Sequence, residues 1–211
     1  MTDPLAELRS TIVHGDGDNR LVPRIADGSA PREALVALAG EERRIVASDW
    51  RSFLTLAARA EDRPTREFFT TLAQGEAVSL DNVTTFGAAV GLDPAAYRPL
   101  AGCQAYPSYV ARLAQEAAPA DALLAVVANF VAWGGYCATV ARALREHYGL
   151  DDAACAFFDF FATPAPDLDR QAADAVRAAH AAGRLTGQAT EYGRLLQSYE
   201  LMFWNTIADA C

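Results

Sequence analysis

Near its C-terminus the chain reads YELMFW (199–204), which places one acid, Glu200, among leucine, methionine, phenylalanine and tryptophan. On a helix the residues three and four positions away are Leu196, Gln197, Phe203 and Trp204, and none of them is basic. Two readings follow. Either an arginine from another helix pairs with Glu200, or the acid points into a polar ligand site, where burial raises its pKa towards the range of a general acid. A second polar residue in apolar surroundings is Asn129, inside LLAVVANFVAWGGYCATVARAL (123–144), with Trp133 one turn on and facing the same way. A buried amide that finds no partner costs about 1–3 kcal/mol. Asn129 therefore either bonds a neighbouring helix and sets its register, or lines a ligand cavity in a helical core.

Other chemistries are excluded or poorly supplied. All 18 basic residues are arginine, and without lysine there is no Schiff-base chemistry and no P-loop. Cys103, Cys137, Cys155 and Cys211 have no zinc-site spacing; they are read as reduced thiols, with Cys137 a small core residue. His14, His147 and His180 are scattered. His180 has Asp174 six residues before it and His147 directly follows Glu146, so neither fits the E-x-x-H or D-x-x-x-H patterns of a di-iron oxidase. No metal and no cofactor is called for. His14 sits in the turn HGDGDN rather than on a helix able to offer a haem ligand. The net charge of −9 argues against nucleic acid as a partner. No apolar run is read as approaching the roughly 20 residues of a membrane span, and MTDPLAELRST is not a secretory signal. A cytoplasmic location without membrane contact is expected.

The elements that must position these residues are helical. Alanine, leucine, arginine and glutamate dominate, and period-two runs of β-branched residues are missing. Breaks at ADGSAP, EDRP, GLDP, AAPAD and GLDD leave long helices at about 31–60, 65–91, 120–147 and 186–209, with shorter ones between. Ser29, Asp121 and Asp167 stand where N-caps are expected. With no linker, repeat or shift in composition, the fold class is an all-α bundle in one domain, residues 1–211.

Four stretches together resemble the TenA/Thi-4 family. IADGSAPREAL (25–35) is similar to the family's entry to its second helix. GLDPAAY with QAYPSYVARLA (91–97, 104–114), LLAVVANFVAWGGY (123–136) and YELMFW follow in the family's order and spacing over nearly the whole chain. The resemblance implies a haem-oxygenase-like bundle that assembles as a homo-oligomer, dimer or tetramer. It also implies hydrolysis of an aminopyrimidine, or of thiamin itself, within thiamin salvage (aminopyrimidine aminohydrolase, thiaminase II). Carried over residue by residue, the family's C-terminal glutamate is Glu200. Its helix-two aspartate falls on Glu42 in GEERR, a run that equally describes a solvated helix face. One pocket tyrosine is Tyr106, although a tyrosine beside Pro107 also suits plain packing. The family's cysteine nucleophile falls on Asn129, and two further tyrosines become Ile45 and Phe161. Cys137, about 12 Å further along the helix, cannot stand in for position 129.

The implied catalytic residues are thus Glu200 as the acid/base and Glu42 as a second carboxylate orienting water or the leaving amine, with Tyr106, Asn129, Trp133, Ile45, Phe161 and Phe203 around a small aromatic or heterocyclic ligand. Phe86, Phe157 and Trp204 add to the aromatic supply. Three functions compete: a hydrolase working through carboxylates alone, a member of specialised metabolism or non-catalytic binder of an aromatic ligand, and, last, the di-iron oxidase.

Overall fold

The computed structural model describes residues 18–211 together with Ala6; His14 and the start of its turn lie outside the described residues. Eight helices are seen among the described residues: α1 Leu21–Ala26, α2 Arg32–Arg59, α3 Arg63–Val90, α4 Ala105–Glu116, α5 Pro119–Tyr148, α6 Asp152–Ala162, α7 Pro166–Ala181 and α8 Ala189–Ala210. The four long helices stand where the sequence pattern put them, and their ends have identifiable causes. Asp62 accepts from the Thr65 N–H at 2.8 Å to start α3, and Asp151 accepts from Ala154 at 2.9 Å to start α6. Gly91 and Gly149, at φ 87° and 67°, end α3 and α5 in the left-handed conformation that side chains disfavour.

The three expected caps are corrected. Pro31, not Ser29, occupies the N-cap of α2. Asp121 lies inside α5, whose start is set two residues earlier by Pro119, and its buried carboxylate instead accepts from the backbone N–H and hydroxyl of Thr186. Asp167 falls one residue inside α7, again behind a proline, and pairs with Arg170.

The longest helix needs a second correction. α5 does contain a stretch long and apolar enough to cross a membrane, with a window of mean hydropathy 1.6, because Asn129 is the one strongly polar side chain between Asp121 and Arg142. Here that stretch serves as the bundle's core helix. Every residue from Ala120 to Asn129 is buried, beneath α2, α4, α7 and α8 among others, and partial exposure begins at Phe130.

The apolar interior falls into two clusters stacked along the bundle. One holds Phe53, Leu56, Phe68, Phe69, Leu113, Leu123 and Leu196. The other holds Leu35, Leu38, Val83, Phe86, Leu144, Phe157, Phe203 and Trp204. The helices α2, α3, α5 and α8 run through both. Each therefore passes from one core to the other, and between the cores each carries polar residues.

Candidate functional site

On α2, Glu42 and Asp49 lie between Leu38 and Phe53; on α3, Glu76 and Ser79 lie between Ala73 and Val83. On α5, Asn129 follows Ala128 and precedes Cys137. On α8, Gln197 and Glu200 lie between Leu196 and Phe203. Glu42, Asp49, Ser79, Asn129, Gln197 and Glu200 are buried. Four helices thus converge on a polar layer closed above and below by hydrocarbon.

The centre of the layer is a hydrogen-bonded bridge. Asn129 donates through Nδ2 to Glu200 Oε2 at 2.8 Å, while its carbonyl oxygen accepts from the Gln197 amide. Gln197 and Glu200 are three apart on α8, so both reach one amide on α5. The register bond envisaged for Asn129 is present. The arginine partner envisaged for Glu200 is not: among the described residues, no ion pair includes Glu42, Asp49, Glu76 or Glu200.

Electrostatics follow from four acids without a cation. Burial pushes Glu200 up from its ordinary 4.5 to about 7, against a smaller downward pull from the Asn129 bond. The Trp204 indole N–H also lowers it, although it falls short of proper hydrogen-bond geometry. Glu42 is held well above the usual carboxylate range, first by burial and then by the charges of Asp49, Glu200 and Glu41. Burial does the same to Asp49, and burial with the charges of Asp49 and Glu42 raises the half-buried Glu76. Tyr106, at the start of α4 and packed against the first apolar cluster, is raised by burial and by the charges of all four of these acids, which keeps its hydroxyl protonated. Among the described residues, Glu200 Oε1, Glu42 Oε1, Asp49 Oδ1 and Ser79 Oγ have no hydrogen-bond partner. A layer of acids raised above the ordinary carboxylate range, with unpartnered oxygens among the described residues, suits a ligand rich in N–H groups or carrying positive charge.

One side of the layer is aromatic. Trp133 meets Phe161 edge-on at 5.6 Å and Trp204 at 5.8 Å, and Trp204 meets Phe203 at 5.2 Å. Ile45, half-buried, packs against the same cluster as Trp133 and Phe161. Phe86 is edge-on to Phe158 at 5.1 Å within the core. Cys137 is fully buried, and burial together with the charges of Glu42 and Glu200 holds its thiol protonated, which makes it a poor nucleophile.

Neighbouring acids play different parts. Glu41 is fully buried yet satisfied, accepting from the Tyr97 hydroxyl at 2.8 Å, the Leu100 N–H at 2.6 Å and Gln104 Nε2 at 2.6 Å. It anchors the connection between α3 and α4. Gly40 makes room for this, since a Cβ there would lie 2.6 Å from the Tyr97 ring. The run GEERR is therefore half a solvated face, Arg43 and Arg44, and half buried.

The pattern of the TENA/THI-4/PQQC family matches residues 20–210. The chain belongs to this family. No curated protein matches it. Among solved structures it resembles a TenA homologue from Pyrococcus furiosus, at 12% identity over 96% of this chain and 95% of that one, with a TM-score of 0.67. A candidate TenA-like thiaminase from Sulfolobus solfataricus is similar at 13% identity, 98% and 93% coverage and a TM-score of 0.63. A domain of unknown function from Shewanella denitrificans with a haem-oxygenase-like fold shares 15% identity over 97% and 88%, with a TM-score of 0.69. At these identities the likeness is one of fold, and the fold is the haem-oxygenase-like bundle.

Asp49, Glu76, Ser79 and Gln197 were not singled out from the sequence. Asp49 lies seven residues after Glu42, two turns along the same face, and Gln197 three before Glu200; those spacings were the available signals. In place of the expected ligand cavity, these residues form a buried polar layer whose centre is filled by the bonded side chains of Gln197, Asn129 and Glu200. Two surface grooves, one between α2 and α4 and one between α3 and α7, are lined by none of its acids. Among the described residues no three His, Cys, Asp or Glu side chains stand close enough to hold a metal ion.

Proposed function

We propose that this protein is an enzyme of thiamin-related metabolism that hydrolyses a C–N bond of an aminopyrimidine or a similar amine-bearing heterocycle, without a cysteine nucleophile. The observation carrying this reading is Glu200, with one oxygen held by Asn129, the other unpartnered, and a pKa of about 7. Near neutral pH such a group is protonated in about half of the molecules, which suits donation to a leaving amine. In the reaction a water oxygen bonds to the exocyclic carbon as the carbon–nitrogen bond breaks. Glu200 gives its proton to the departing amine and takes one back from the attacking water, which Glu42 orients by hydrogen bonding. Tyr106 donates to the heterocycle, and Trp133, Phe161 and Phe203 cover its faces. Release of hydroxymethylpyrimidine from its aminomethyl precursor, followed by mass spectrometry, is expected with wild type and lost in Glu200→Gln. No turnover by the wild-type protein would overturn the hydrolase.

A second reading keeps the layer as a binding site alone. It is favoured by Asn129, Ile45 and Phe161, which carry neither thiol nor hydroxyl where the resemblance expects them. An aromatic amine would then stabilise the protein, by about 2.7 kcal/mol at a hundredfold excess over its Kd, without being consumed.

A further inference from the structure

On the outer face of the bundle, α2 and α4 enclose a groove of about 420 Å³. α2 contributes Arg44, Ser48 and Arg51, and facing them are Gln104, the N-cap of α4, with Ser108 and Ala111 of α4. Both sets follow the spacing i, i+4, i+7, so each is one straight stripe and the two stripes face each other. Arg43 joins the rim. No carboxylate lines this groove, although the chain holds 27 acidic residues against 18 basic ones. The nearest acids in sequence, Glu41, Glu42 and Asp49, are buried, and Glu41 is already engaged by Gln104, Tyr97 and Leu100. Eight other arginines are ion-paired, but among the described residues Arg43, Arg44 and Arg51 pair with no acid. Three exposed guanidinium groups gathered without acids, in a chain of net charge −9, make a local positive site on a negative molecule.

We infer that this groove binds a small phosphate-bearing molecule, separately from the buried acid layer. Arginine offers a planar fork of N–H donors that matches phosphate oxygens two at a time. Arg44 and Arg51 are two helical turns apart, about 10 Å along the axis, so their side chains can lean towards one group held between them. A phosphate monoester near its full double charge uses three cations better than a singly charged carboxylate. The Ser48 and Ser108 hydroxyls supply neutral donors on facing sides. The groove's volume falls in the range of small-molecule sites. A second copy of the chain seated on the same face by two-fold symmetry would set arginines against arginines, which disfavours that occupant.

The test is calorimetric titration of inorganic phosphate and of phenyl phosphate into the full chain, with sodium chloride and sodium acetate at matched ionic strength as controls. Saturable binding of one phosphate or phenyl phosphate per chain is expected, with no response to chloride or acetate. Binding should weaken at least tenfold in Arg44→Gln or Arg43→Gln and vanish in the double variant R44Q/R51Q. It should be unchanged in Arg170→Gln, whose arginine lines the other groove. All four arginines are exposed, so circular dichroism should show each variant folded. Absent saturation, binding that survives in the double variant, or an equal response to chloride would each overturn the site. So would sedimentation showing that the double variant changes the number of subunits while phosphate has no effect, since the face would then be a contact between copies. None of these outcomes bears on hydrolysis at Glu200.

Discussion

At Glu200 the balance of forces can be read directly as a pH dependence. Its carboxyl titrates near 4.5 in an unfolded chain and at about 7 in the fold, because burial disfavours the charge and one Asn129 bond only partly restores it. A raised acid pKa means the folded state holds the proton more tightly, so the associated stability is complete below 4.5 and is lost as pH rises through about 7. The shift corresponds to roughly 3 kcal/mol, and Glu42, Asp49 and Glu76 act in the same direction. Urea unfolding across this range should therefore show wild-type stability falling as pH rises, with a visibly shallower fall in Glu200→Gln. Asn129→Leu should behave differently. It removes the donor that favours the charged form, so the acid's pKa moves above 7, and it strands the Gln197 amide at a cost of about 1–3 kcal/mol. A chemical-denaturation series at several pH values separates these two effects.

At the scale of the element, α2 carries two adjacent glutamates that the fold uses in opposite ways. Glu41 terminates three donors from the α3–α4 connection, and Glu42 ends one residue later with an unpartnered oxygen among like charges. Glu41→Ala should destabilise the protein by about 3 kcal/mol or more, because three donors lose a buried acceptor. Glu42→Gln at pH 8 should instead stabilise it by roughly 1–2 kcal/mol, since folding no longer has to bury or protonate a carboxylate that is charged in the unfolded chain, and the new amide can donate to its acidic neighbours. Equilibrium unfolding of the two variants under one buffer tests the contrast; destabilisation by both would show that Glu42 holds structure in the same manner as Glu41. Helix periodicity alone does not separate two consecutive residues. The distinction comes from Tyr97, which packs over Gly40 and reaches only the first of them.

At the scale of the whole molecule, two apolar cores share four through-running helices, so loss of either should unfold both. Leu38→Ala in one core and Leu123→Ala in the other should each cost about 2–5 kcal/mol. Each should also leave a single transition, with tryptophan fluorescence and circular dichroism coinciding. Separate transitions by the two probes would show that the cores fold independently. The helical class and the four long helices were legible in the sequence because composition, 3.6-residue periodicity and proline or glycine breaks act locally. So was the oddity of Glu200 and Asn129, each a polar residue in an apolar run. Asp121 escaped local reasoning, since its role depends on Thr186, 65 residues away. Asp49 and Glu76 escaped it too, because a carboxylate in a helical run looks the same whether it meets water or another helix. Only the packing of α2, α3, α5 and α8 around one level decided which acids lose their solvent, and that loss of water turns four ordinary side chains into a site with unusual proton affinity.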